Sequence, residues 1–152
     1  KLIVLKAFTK LYGMAGVRLG YCLCSDTELL ARMRAAGQPW AVSSLAQAAG
    51  IAALDETEYV AKVRALIEAQ RPVLADGLRA LGLRVIEGRA NYLLFRAPEA
   101  LGGALRRKGA VLRSCGNYPG LDASWYRTAV RTENENRQLL ALLAETLPEV
   151  AQ

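Results

Sequence analysis

Histidine is missing from all 152 residues of the chain. That removes every scheme built on an imidazole base, the Ser-His and Cys-His arrangements among them. Proton transfer is left to Lys, Tyr, Cys or a carboxylate. The same absence weakens any metal reading, because Cys22, Cys24 and Cys115 have no imidazole to complete a ligand set. Three cysteines without scaffold spacing are expected to stay reduced and partly buried. Long apolar runs are also missing. No stretch of about 18 apolar residues occurs, so no membrane-spanning helix is expected. There is no basic, apolar leader with a small-residue cleavage site, and a cytoplasmic location is the expectation. Acidic residues are the scarcer sign, 14 against 20 basic, for a net charge of +6. The basic residues are scattered, however, and their densest group, Arg106-Arg107-Lys108, has no aromatic residues interleaved. A small anionic ligand is therefore expected, and a nucleic acid or membrane partner is not.

What is present suits one ordinary core: 53% hydrophobic and 22% charged residues. "KLIVLKAF" and "VRLGYCLCS" read as strands, separated by an irregular loop at Gly13 and Gly16. Asp26 sits at an N-cap position before "TELLARMRAAG", which Gly37 and Pro39 close. "SSLAQAAGIAAL" is small and apolar on most sides, as in a helix buried among neighbours. A long helix follows from a cap-like Asp55, with an apolar stripe of Val60, Val63, Leu66, Ile67, Val73, Leu74, Leu78 and Leu81. Pro72 should bend it. After Gly82 the pattern predicts ββαββα: strands in "LRVIEG" and "ANYLLFRA", a helix opening at Pro98, strands in "AVLRSC" and "SWYRTAVRT", and a closing helix with an acidic first turn. The fold class is α/β, with helices layered on a small sheet.

The chemistry concentrates in "KAFTKLYGMAGVRLGY". A lysine at the end of an apolar strand, as Lys10 reads, would be partly desolvated, which favours a nucleophilic amine able to condense with an aldehyde. Arg18 offers a fork of donors suited to phosphate, and Thr9 adds a hydroxyl. Surface charges at strand ends would leave the same pattern.

"TKLYGMAGVRLGY" resembles the lysine segment of the class I/II aminotransferase superfamily, the fold type I pyridoxal phosphate enzymes. The resemblance runs over essentially the whole chain, through "GRANYLLFRA" and "RSCGNYPGLD" to "YR" and "EN". It implies pyridoxal 5'-phosphate as cofactor, with Lys10 bonded to its aldehyde and Arg18 and Thr9 on its phosphate. Ala7 stands where the family usually carries a further phosphate-binding hydroxyl. The resemblance also implies that Arg127 and Arg113 bind the anionic groups of a small amino-acid phosphate substrate, with Asn91 a further contact. Residues 1–25 would be the end of a cofactor-binding large domain, 26–82 a helical interdomain segment, and 83–152 a small C-terminal α/β domain. Trp40 would fill an interdomain contact, and the parent enzyme would be a homodimer. The implied activity is that of a lyase releasing carbon dioxide or of an aminotransferase. A non-catalytic small-domain unit is the remaining reading. Because the ring-nitrogen aspartate and stacking aromatic of the family are not among residues 1–9, this chain alone is expected to be inactive.

Overall fold

Aliphatic residues near the start of the chain form a short hairpin. Val4–Ala7 (β1) pairs antiparallel with Gly20–Leu23 (β2), Val4 opposite Leu23 and Ala7 opposite Gly20. Gly20 is required there, because a Cβ would lie 2.9 Å from the Lys6 carbonyl oxygen. The computed structural model describes residues 2–150 and divides into two compact units at the Val63–Arg64 junction. The strands are shorter than the apolar patterns suggest, and "VRLGYCLCS" pairs only from Gly20 to Leu23.

In the first unit the cap expected at Asp26 forms, and Ser43 supplies another. Asp26 accepts a hydrogen bond from Leu29 N at 2.9 Å to start Thr27–Ala36 (α1), and Gly37 N donates to the Arg34 carbonyl at its end. Ser43 Oγ accepts from Ala46 N at 3.2 Å to start Ser44–Asp55 (α2). Two expectations fail here. Asp55 ends α2 rather than capping the next helix, which runs Thr57–Ala80 (α3). And α2 buries one face only. Ala46, Gly50 and Ala53, spaced for one stripe, are buried, while Leu45, Ile51 and Leu54 point outward and are exposed.

The second unit takes the C-terminal part of α3 and adds Arg84–Ile86 (β3), Tyr92–Arg96 (β4), Leu101–Arg107 (α4), Arg113–Ser114 (β5), Trp125–Ala129 (β6) and Glu133–Val150 (α5). The ββαββα order is as the pattern predicts, and the sheet is antiparallel in the order β3-β4-β6-β5. Alternation fixes its two faces. Leu93 and Phe95 of β4 and Tyr126 of β6 turn inward, onto Leu74 and Leu78 of α3, Leu101 and Leu105 of α4, and Leu143 of α5. Each buried Leu or Phe of that layer contributes about 1.5–3 kcal/mol. Tyr92, Leu94 and Arg96 alternate with the buried pair, as do Trp125, Arg127 and Ala129 with Tyr126 and Thr128, so these residues line the opposite face.

Three details correct the sequence reading. Val73 is exposed, because the buried stripe of α3 passes through Leu74, Ala75 and Leu78. "AVLRSC" pairs at Arg113 and Ser114 alone. Pro98 lies ahead of α4, with its carbonyl accepting from Leu101 N. No side chain from the usual capping position closes α4. Instead Tyr126 reaches across from β6, accepting from Gly102 N at 3.2 Å and donating to the Glu99 carbonyl at 2.7 Å.

The "EN" pair fastens β6 to α5. Asn136 is buried, accepts from Arg131 N at 3.1 Å, and donates to the Arg131 carbonyl at 2.9 Å and to Gln70 Oε1 at 3.3 Å. Asn136→Ala would remove the partner of both Arg131 backbone groups and leave a gap at a buried position, so a loss of about 1–2 kcal/mol is expected. A urea unfolding midpoint indistinguishable from wild type would contradict this role. Glu135 beside it accepts from Thr132 Oγ1 at 2.6 Å, and also from Arg131 and Thr132 N. These contacts, the Thr132 hydroxyl foremost, hold its carboxyl down to about 2 from 4.5. A carboxyl more acidic folded than unfolded adds stability above pH 4.5 and loses it as pH falls towards about 2. Glu135→Gln should therefore lower the melting temperature at neutral pH and flatten its fall across that acid window.

Candidate active site

The loop between β1 and β2 carries Thr9, Lys10 and Arg18. It is pinned from below by Phe8, which is buried, stacks on Tyr12 at 5.1 Å between centroids, and meets Tyr21 at 5.8 Å. Phe8 N donates to the Leu19 carbonyl at 3.2 Å, closing the loop, and Met14 N donates to the Phe8 carbonyl. Gly50 of α2 has no side chain because a Cβ would collide with Leu19, which leaves that helix close against the loop's root. Above this apolar floor the chain turns sharply. Thr9 and Lys10 lie in a turn closed by Gly13 N on the Lys10 carbonyl, and Gly13 takes a φ of 66°.

Two features of this loop differ from the sequence reading. Lys10 lies three residues beyond the end of β1 and is exposed, so the burial expected of a strand-end lysine is not found. Arg18 is not on the adjoining strand. It precedes β2 in a turn with a φ of 56°, a left-handed conformation that costs a non-glycine residue about 1–2 kcal/mol. A residue held there at such a cost points to a need for its side chain. The donor set suits a phosphorylated aldehyde at two ends: a primary amine for the aldehyde, a guanidinium and the half-buried Thr9 hydroxyl for the phosphate.

In the second unit, Arg113 and Arg127 are direct cross-strand partners on β5 and β6. Like charges so placed repel, at about 0.2–1 kcal/mol. Among the described residues no carboxylate forms an ion pair with either. Arg96, by contrast, has Asp122 at 3.8 Å, and Arg131 and Arg137 pair with Glu135 and Glu133. Each member of the facing pair lies instead over an aromatic ring. The Arg127 guanidinium carbon is 4.7 Å from the Tyr92 centroid, and that of Arg113 is 5.6 Å from the Tyr118 centroid. Arg113 Nη2 also donates to Asn117 Oδ1 at 3.0 Å. An arginine pair with no carboxylate partner among the described residues, each guanidinium over a ring and that of Arg127 without a hydrogen bond, can take an anion.

The loop joining β5 to β6 is braced at Asp122. Ser124 Oγ and Ser124 N both donate to Asp122 Oδ1, the latter at 2.9 Å, and with Arg96 they hold its carboxyl below the usual aspartate range. Asn91 contributes through its backbone, its carbonyl accepting from Val130 N at 2.9 Å. Among the described residues its exposed side chain makes no hydrogen bond. Trp40, expected in a contact, is 97% exposed with a φ of 60°. Tyr92 and Asn117 were not singled out by sequence, because cross-strand and loop registers decide which ring or amide meets which arginine.

Other features carry no site. The three cysteines are free thiols, and among the described residues no cluster of three or more metal-ligating side chains occurs. No described helix is long and apolar enough to cross a membrane. A depression of about 300 Å³ beside Lys108 and α5 contains none of the candidate residues. Glu145 and Glu149 already hold that lysine, at 2.8 and 2.7 Å.

The fold is that of part of the class I and II aminotransferases. Histidinol-phosphate aminotransferase from Clostridium acetobutylicum superposes with a TM-score of 0.91 at 30% identity, over 97% of this chain and 46% of that one. Histidinol-phosphate aminotransferase from Sinorhizobium meliloti, solved in complex with pyridoxal-5'-phosphate, matches at 0.75 and 26% identity, over 97% of this chain and 40% of that one. The aminotransferase class I and II family profile matches residues 1–143, and the chain belongs to that family. Threonine-phosphate decarboxylase of Salmonella typhimurium is 39% identical over 97% of this chain and 42% of its own length. Histidinol-phosphate aminotransferase of Symbiobacterium thermophilum is 39% identical over 97% of this chain and 41% of its own. The chain thus spans about two-fifths of the curated relatives it matches.

Proposed function

We propose that the chain is the part of a pyridoxal 5'-phosphate enzyme that supplies its cofactor lysine and its substrate-anion arginines, and that the parent decarboxylates threonine phosphate. The observation that carries this is the Phe8–Leu19 loop, which exposes a primary amine and a guanidinium above an aromatic floor. In this reading 1–25 belong to the cofactor-binding domain, 26–82 to the helical connection, and 83–152 to the small domain. The parent is a homodimer acting on a small anionic amino-acid phosphate.

Pyridoxal phosphate, when bound, supplies an electron sink for breaking a bond to the substrate Cα. Lys10 would hold the cofactor through its aldehyde, and as a free amine could hold or move a proton at Nζ. Arg18 and the Thr9 hydroxyl take the cofactor phosphate. Ala7 adds no hydroxyl, which leaves the phosphate more dependent on Arg18. Arg127 and Arg113 bind the carboxylate and phosphate of the substrate, and they orient the Cα substituents. That orientation selects the outcome. Which bond to Cα their grip would present to the cofactor would decide between loss of carbon dioxide and transfer of the amino group.

The second reading, a histidinol-phosphate aminotransferase, has support of equal weight in the 39% identity shared with each kind of relative. The full-length enzyme should be given threonine phosphate, and separately histidinol phosphate with a 2-oxo acid. Carbon dioxide from the first supports the decarboxylase, and amino-group transfer from the second supports the aminotransferase. Neither product would sink both. The 152-residue chain alone is expected to turn over neither substrate, since it spans two-fifths of its relatives; turnover by the isolated chain would contradict that.

A further inference from the structure

Arg127 is held unlike any carboxylate-paired arginine of the second unit. Tyr92 stands opposite Ala129 on β6, and Arg127 is opposite Leu94 on β4, so ring and guanidinium are diagonal neighbours on one face of the sheet. Such neighbours lie within reach of long and aromatic side chains. Ala129 is small enough to leave the ring uncovered, and Tyr92 remains 41% exposed. The Asn91 carbonyl, fastened to Val130 N at 2.9 Å, fixes the end of β4 from which the ring projects. Arg71 fixes the preceding turn by donating to the Arg89 carbonyl at 3.0 Å. At 4.7 Å the contact is shorter than those of Arg113 with Tyr118 and Arg84 with Trp125, at 5.6 and 5.7 Å.

The mode of support matters. A carboxylate partner would occupy the N–H edge of Arg127, the edge an anion needs. A ring grips the guanidinium by its plane and leaves that edge free. We infer that Tyr92 is a positioning residue, its ring face holding the Arg127 guanidinium with its donors presented to a carboxylate or phosphate. The inference rests on the reading of Arg127 as an anion-binding residue. The phenolic hydroxyl has no part in it.

The test uses the 152-residue chain, inorganic phosphate as probe, and NMR relaxation at the Nε–H groups of Arg127 and Arg113. Tyr92→Phe should keep both the order of Arg127 and its phosphate response. Tyr92→Leu should loosen Arg127 and weaken phosphate binding about threefold, with the Arg113 signal unchanged. If Tyr92→Leu does not fold, pentafluorophenylalanine at position 92 keeps the ring shape while cancelling its negative face, and should loosen Arg127 equally. Arg127 order unchanged by loss of the ring face would overturn the inference, as would equal damage from Tyr92→Phe. A wild-type chain whose Arg127 is ordered by Tyr92 yet ignores phosphate would instead remove the anion-binding reading.

Discussion

Lys10→Ala in the full-length enzyme is expected to lower turnover by about a thousandfold or more. On the proposed reading the variant lacks both the amine that would hold the cofactor aldehyde and a group to carry a proton, and proton transfer alone accounts for about 10²–10⁴. Lys10→Arg should be nearly as damaging, since a guanidinium stays protonated and forms no such bond. In the 152-residue chain both variants should melt close to wild type, because Lys10 is exposed in a turn there. Loss of activity with preserved stability separates a chemical role from a structural one. Activity within about tenfold of wild type in Lys10→Ala would place the reaction on another group, given what a lost acid–base catalyst costs.

The second large effect belongs to Arg127. Its fork can make a bidentate, charge-assisted pair worth about 3 kcal/mol, so Arg127→Ala should cut kcat/KM about a hundredfold. Arg127→Lys keeps the charge and loses the fork, and should recover only part of that. Removing either arginine relieves the repulsion across the β5–β6 pair and gives up a ring contact of about the same size, so the isolated fold should change little in stability. Arg113→Ala should show a smaller deficit, as Arg113 is exposed and held by loop residues Asn117 and Tyr118. An Arg127→Ala enzyme with unchanged kcat/KM would show that the substrate anion binds elsewhere.

Local signals were readable where the physics is local. The cap at Asp26 forms because a short side-chain oxygen next to a helix start satisfies a backbone N–H whatever lies beyond. The ββαββα order was legible because periodicities of two and 3.6 alternate cleanly after Gly82. The outward turning of Leu45, Ile51 and Leu54 was not, since composition shows that a helix is apolar but not which side finds a neighbour. Asp55 looked like a cap because it precedes an acidic turn, yet α2 continues through it. At the site, Lys10 and Arg18 stood out by residue type and spacing. The left-handed turn at Arg18 was invisible, because a non-glycine residue at a positive φ leaves no sequence mark. The rings beneath Arg113 and Arg127 depended on register, which tertiary pairing sets.

The most direct measurement is borohydride reduction of the full-length enzyme with its cofactor bound, followed by peptide mapping. The account predicts one pyridoxyl group, on Lys10, and loss of that label when Arg18→Ala weakens the phosphate anchor. A label on Lys6, Lys62 or Lys108, or no label at all, would contradict it.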